Sequence, residues 1–162
     1  EEEGFTLIEL IIVVAIIAIL SAVVAPNILK AIDNSRVVAV MADTKIIQSA
    51  ALAYNADTGQ WPQSPEVNEG NEENKGSDPG FINNPGTDPG VDGWNGPYLD
   101  RWPEKNPWGG TYILSYKDDG KLYLLLTQVP ESAVGKLQEK LGETIVKKDQ
   151  EESNAISIYL TE

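Results

Sequence analysis

One stretch constrains this chain more than any other. Residues 5–26, FTLIELIIVVAIIAILSAVVAP, are almost pure hydrocarbon and carry one ionisable side chain, Glu9. Residues 10–20 are apolar without exception, and after Ser21 the run continues to Ala25. At 1.5 Å per residue, about twenty such residues cross a hydrocarbon core of ~30 Å. A secretory signal peptide has a shorter apolar core, a basic segment before it and a cleavage site after it. Here acidic residues precede the run and amphipathic sequence follows it, so the segment is expected to anchor the chain in a membrane. An ionised group inside such a span is costly and by default functional. Glu9 is therefore the first candidate site residue. The plainer alternative is that Glu9, about 6 Å along the helix from Phe5, snorkels to the headgroups.

Composition removes whole classes of function. The 162 residues include 25 acidic and 12 basic side chains, a formal net charge of -13. No cationic footprint for phosphate is present, so no direct nucleic-acid site is expected. There is no histidine and no cysteine. The commonest general base, the commonest transition-metal ligand and structural thiolate sites are thereby absent. With no convergent catalytic set, the expectation is that the chain is not an enzyme and needs no cofactor.

The residues GFTLIEL, 4–10, resemble the class III signal of type IV prepilins and type II secretion pseudopilins. The resemblance implies that a membrane prepilin peptidase cuts after Gly4 and N-methylates Phe5, and that Glu9, four positions on, is the assembly carboxylate. Residues 1–4 would then be a residual leader. The physical reason is independent of the family. A free α-amine on Phe5 has a pKa near ~8 and is largely cationic. A buried amine and a buried carboxylate each pay several kcal/mol of desolvation unless paired. Glu9 of an arriving subunit is expected to meet the Phe5 amine of its neighbour. Pro26 deletes one helical hydrogen bond and crowds the carbonyl of Ala22. The expectation is a kink or, as the resemblance implies, melting of residues 18–26 on filament assembly, where neighbouring protein buries the freed backbone.

Beyond the anchor (5–26), residues 27–58 read as the amphipathic half of one spine helix, about 80 Å long from residue 5 to 57. One broad arc holds Ile28, Ala31, Ile32, Ser35, Val38, Ala39, Ala42, Ile46, Ala50 and Ala53. A second holds Leu29, Val40, Ile47 and Tyr54. Two apolar arcs imply a head domain on one side and other helices on another. Thr58-Gly59 is a plausible stop. Residues 59–110 form a Gly/Pro-rich loop region, with ten of the 14 glycines and eight of the 10 prolines. Trp61, Phe81, Trp94, Tyr98, Trp102 and Trp108 are expected to pin its turns to a core. The aromatics look scattered between loop and sheet, where core packing is their ordinary use. Asp78, Asp88, Asp92 and Asp100 offer oxygen ligands for calcium, with Asp88 and Asp92 the low-ranking candidates. Their spacing matches no EF-hand loop, and turn aspartates are commoner than ligands. Residues 111–162 read as an antiparallel sheet with a short helix: TYILSYK and KLYLLLT around Asp118-Asp119-Gly120 form a hairpin, 130–141 a helix and ISIYL a last strand.

The expected fold class is α+β, a long N-terminal spine helix packed on a small antiparallel head with a long Gly/Pro-rich loop. GPYLDRWPEKNPWGGTY, 96–112, is similar to the loop-to-sheet segment of major pseudopilins and related pilins. Major pseudopilins bind calcium in an acidic loop after this region, where this chain has LYLLLTQVP. Pilin heads often clamp their C-terminal region with a disulfide; without cysteine, packing must do it here. The leading expectation is a major pilin, a homo-oligomer that polymerises helically into a type IV pilus for surface adhesion, motility or DNA uptake. It would be a single-pass cytoplasmic-membrane protein before assembly and extracellular afterwards, with the pilus assembly machinery as partner. The alternatives are a pseudopilin of a type II secretion system and a membrane-anchored ligand-binding module.

Overall fold

The computed structural model describes residues 4–62, 64, 77–85, 90–116, 120–149 and 154–161. Four strands and two helices follow the order α1 (Leu7–Thr58), β1 (Tyr112–Tyr116), β2 (Leu122–Leu126), α2 (Glu131–Leu141), β3 (Val146–Lys148) and β4 (Ile156–Tyr159). The chain divides into two units, Glu1–Ser35 and Arg36–Glu162.

In the first unit the described residues are helical from Leu7 onward. Its large apolar side chains between Phe5 and Ile32 are 42–80% exposed. Side chains of this kind are normally buried, so the chain by itself leaves their hydrophobic requirement unmet. The helix continues through Pro26. Pro26 has no N–H to offer the Ala22 carbonyl, and the Asn27 Nδ2 donates to the next carbonyl, that of Val23, at 3.3 Å.

The second unit holds the core. The sheet order is β1-β2-β4-β3, antiparallel throughout. Strand residues alternate between faces with a period of two. Tyr112 and Leu114 of β1, with Leu122, Leu124 and Leu126 of β2, are fully buried. Val146 and the β4 residues Ile156 and Ile158 extend the same layer. From α1, Val37, Val40, Thr44, Ile47, Ala51 and Tyr54 join this core. Of the two sequence arcs, Val40, Ile47 and Tyr54 of one join the core, and Ala50 of the other is buried with them. Val38 and Ile46 of the other arc stay more than half exposed. The helix ends where Gly59 takes a positive φ of 70°, its N–H closing on the Asn55 carbonyl at 2.8 Å.

Polar ties replace the missing disulfide. Gln48 Nε2 of α1 donates to the Leu160 carbonyl at 2.6 Å, and the Leu160 N–H donates to the Leu122 carbonyl at 2.9 Å. The Tyr112 hydroxyl donates to Asp43 Oδ2 at 2.7 Å. Helix α2 buries Ala133, Val134 and Leu137 and stops at Gly142, with φ 103°. Lys148 of β3 pairs with Glu131 of α2.

No helix or strand occurs among the described residues of 59–110, yet the segment is well tied. Asp78 accepts the N–H groups of Phe81, Ile82 and Asn83. Asn84 clamps Val91, its Oδ1 accepting the Val91 N–H at 2.7 Å. The Trp94 indole donates to the Gly80 carbonyl at 2.9 Å. The aromatics, which look scattered in sequence, are in fact contiguous. Trp94, Tyr98, Tyr54, Phe81 and Trp102 form successive ring pairs with centroids 5.6–6.3 Å apart. Their sequence separations hid a cluster that only tertiary packing assembles. It does for this loop what a regular element would otherwise do.

Candidate assembly site and head surface

At the N-terminus, Gly4 has open space around its Cα and Phe5 is 80% exposed. The next four residues, Thr-Leu-Ile-Glu, build a capping box. Thr6 precedes the first helical residue, and its N–H donates to Glu9 Oε2 at 2.9 Å. The Thr6 hydroxyl donates to the same oxygen at 2.5 Å. In return the Glu9 N–H donates to Thr6 Oγ1 at 3.3 Å. Two of the N–H groups that a helix start leaves orphaned are thus satisfied reciprocally. A negative side chain also complements the positive end of the helix dipole. Among the described residues both side-chain bonds fall on Oε2. The carboxylate is thereby fixed at the rim of the span, one helical turn from the Phe5 backbone.

The sequence reading missed Thr6. The signal was available, since Thr-x-x-Glu before an apolar run is the capping-box pattern. A local cap and an inter-subunit pairing are compatible roles for Glu9, because a carboxylate carries about four lone-pair positions.

Among the described residues the candidate calcium ligands Asp78, Asp92 and Asp100 form no metal-holding group. Asp78 is committed to three backbone N–H groups. Asp92 and Asp100 are exposed, and Asp88 lies outside the described residues. Among the described residues no group of three or more acidic side chains is placed to hold a metal ion. Asp118 and Asp119, expected at the hairpin tip, and Glu1 to Glu3, expected to be leader, also lie outside the described residues. After β2, where LYLLLTQVP stands in place of an acidic loop, the chain runs through Thr127 to Pro130 into α2.

The head has a second polar centre that sequence inspection did not single out. Asn106 is 3% exposed. Its Nδ2 donates to the Thr127 carbonyl at 2.8 Å, while its Oδ1 accepts from Trp108 N at 2.9 Å and Gly110 N at 3.2 Å. A Cβ on Gly110 would lie 2.0 Å from the Thr127 carbonyl oxygen, so only glycine allows this approach. The NPWGG turn is in this way stitched to the end of β2.

An exposed apolar helix capped by Thr6 and Glu9, with a head whose sheet packs on that same helix, defines a structural subunit with a membrane-anchoring terminus. Comparisons with known proteins agree. A family described as PilW, C-terminal matches residues 31–124, and the prokaryotic N-terminal methylation motif matches residues 2–25. The type II secretion system core protein G of Pseudomonas aeruginosa is 31% identical over 113 residues, covering 69% of this chain and 72% of that protein. Its counterpart in Escherichia coli is 26% identical over 136 residues, covering 83% and 86%. Among solved structures, the major type IV pilin PilA1 from Clostridium difficile shares the fold, with TM-score 0.59 and 21% identity over 81% of this chain and 98% of that one. The chain belongs to the type IV pilin and type II secretion pseudopilin superfamily.

Proposed function

We propose that this chain is a pseudopilin, a structural subunit that polymerises through its N-terminal helix into the filament of a type II secretion system. The similarity to core protein G, over 69–83% of this chain, carries this reading. It outweighs LYLLLTQVP, which stands where major pseudopilins carry an acidic loop and favours the surface pilus; GFTLIEL is common to both classes. The pilus remains as the second reading, supported by the segment after β2 and by the fold shared with a type IV pilin.

Assembly moves the apolar helix from lipid to the company of its copies. Lipid tails are as apolar as leucine, so hydrocarbon burial alone gives little drive for that exchange. The polar terminus supplies it. After cleavage behind Gly4 and methylation of Phe5, the amine of one subunit neutralises Glu9 of another. The contact is heterologous and non-closing, the geometry that generates a fibre. Melting around Pro26 would let spines pack closely, since the Ala22 carbonyl already lacks its helical donor.

The test combines three variants with mass spectrometry of the filament's N-terminus. N-methylated Phe5 is the expected first residue. Glu9→Ala leaves an unpaired buried amine, a loss of about 3–5 kcal/mol per contact, and should abolish filaments while the protein stays membrane-inserted. Glu9→Gln should do the same, keeping the cap but removing the charge. Thr6→Ala costs the cap alone, ~1 kcal/mol, and should still assemble. Normal filament yield from Glu9→Gln would refute the pairing. Deleting the gene separates the two readings: lost protein secretion supports the pseudopilus, lost surface fibres with intact secretion the pilus.

A further inference from the structure

A fibre built from heterologous contacts needs two complementary patches on each head, and a chain of net charge -13 needs them to offset self-repulsion. Residues 120–148 are the exception to the acidic composition, with five lysines against three glutamates. Two of these lysines border a groove of about 420 Å³ lined by Gln48, Lys121, Ile145, Lys147, Tyr159 and Thr161, among others. Lys121 and Lys147 are exposed. Lys147 is not a freely swinging arm: its Nζ sits 5.2 Å from the centre of the Tyr159 ring. A cation held over an aromatic face is partly pre-ordered, which lowers the entropic cost of engaging an anion.

The opposite charge lies at the end of α1. Gly93 approaches the Asp57 carbonyl so closely that a Cβ there would lie 2.4 Å from its oxygen. That approach brings the backbone next to Asp92 against the end of α1; Asp57, whose Oδ2 accepts the Tyr98 hydroxyl at 2.9 Å, and Asp92 are both exposed. The groove and the acidic pair stand in a definite relation on α1. Gln48 and Asp57 are nine residues apart, which is about 13 Å along the helix and half a turn around it. The sheet-packed side, with Val40, Ile47 and Tyr54, falls between them. One patch therefore lies on each flank of the head.

Building on the filament reading above, we propose that the Lys121–Lys147 groove of one head docks the Asp57–Asp92 corner of the next copy. Opposed flanks make the contact head-to-tail and repeatable. The axial offset sets the shift between the two contacting copies at about 13 Å when their spines run parallel. The helix keeps the two patches of one chain apart, and Asp57, which accepts one bond from Tyr98, has lone pairs left for a neighbouring copy. A membrane surface is the competing occupant for a basic groove, but it offers no match to the acidic corner.

The absence of native cysteine gives a clean test on the full chain assembled with its machinery. Asp92→Cys and Lys147→Cys together, treated with a short bis-maleimide, should give a ladder of covalent multimers from filaments and none from membrane-held monomers. Either single-cysteine variant should give no ladder. Lys147→Glu and Asp92→Lys should each lower filament yield about fivefold, the worth of one well-placed ion pair, and the double variant should restore it. Filaments that assemble but stay monomeric after cross-linking, or a double variant no better than either single, would overturn the docking and leave the filament reading intact. No filaments from the unmodified chain would overturn that reading, and the docking with it.

Discussion

Asn106→Ala is the substitution whose consequence the head structure specifies most closely. The side chain makes three hydrogen bonds, to Thr127 O at 2.8 Å, from Trp108 N at 2.9 Å and from Gly110 N at 3.2 Å. Each is worth about 1 kcal/mol net, and a buried group left without its partner costs about 1–3 kcal/mol. The Gly110 N–H is buried, so truncation should cost the head about 3 kcal/mol, with an upper end near 4. Backbone bonds in the same turn, Asn106 N to Gly110 O and Gly109 N to Asn106 O, survive and keep the variant folded. Tryptophan fluorescence reads the transition directly, because Trp61, Trp94, Trp102 and Trp108 all lie in the loop region. In urea, with a slope of about 1–3 kcal/mol/M, the midpoint of the full chain in detergent should fall by about 1–3 M. Lys105→Ala, next door and exposed, is the control and should move stability by less than about 0.5 kcal/mol. If Asn106→Ala matches that control, the network is ornamental and the reasoning fails.

Two further outcomes follow from the same head. Gly110→Ala must displace the Thr127 carbonyl, 2.0 Å from the added methyl, and should cost about 2–4 kcal/mol with no compensating contact; an unchanged urea midpoint would count against it. Burial, then the bond to Asp43, then the charge of Asp43 hold the Tyr112 hydroxyl well above the ordinary range, and burial raises Tyr54 and Tyr98 as well. A raised acid contributes stability that is complete below its unfolded pKa, near ~10, and is lost as pH rises beyond it. Urea midpoints should therefore be flat to about pH 10 and then fall, by at most about 1.4 kcal/mol per pH unit for each such tyrosine, and Tyr112→Phe should flatten part of that slope.

Where a pattern is periodic and local, the sequence carried it. The spine helix, the β1–β2 hairpin, the short helix and the last strand all stand where apolar periodicity placed them. Strand β3 did not show, because three residues, Val-Lys-Lys, are too few to display an alternation. Asn106 was invisible for another reason. Within NPWGG it reads as one more turn residue, and its partner Thr127 lies 21 positions away. That the loop aromatics pin its turns to a core was legible, but which rings pair was not, since Tyr54 comes from the helix and its neighbours from the loop. At the assembly site, Glu9 was legible from its improbable surroundings. Its tie to Thr6 was equally legible but went unread. For the spine the two apolar arcs were visible, but which one meets the sheet was not. Both are rich in small and aliphatic side chains, and only the sheet's own positions decide between them.

That division bears on how such a chain encodes assembly as well as fold. Leu114, Leu122 and Leu124 are fully buried within the head, whereas Phe5 to Ile32 expose aliphatic side chains that the monomer never covers. Lipid and a neighbouring helix satisfy that surface almost equally, so it cannot by itself choose between a dispersed and a polymerised state. Nor can it fix a register, because one aliphatic turn resembles the next. On the filament reading, discrimination must come from groups that lipid cannot satisfy. Among the described residues the candidates are a carboxylate tied to Thr6 and the two proposed charged flanks, about 13 Å apart along the helix. The first holds the decision to leave the membrane, the second the spacing of what is built. Substitutions among the exposed aliphatics should accordingly be tolerated when they conserve size, while single charges at these few positions should control whether fibres form.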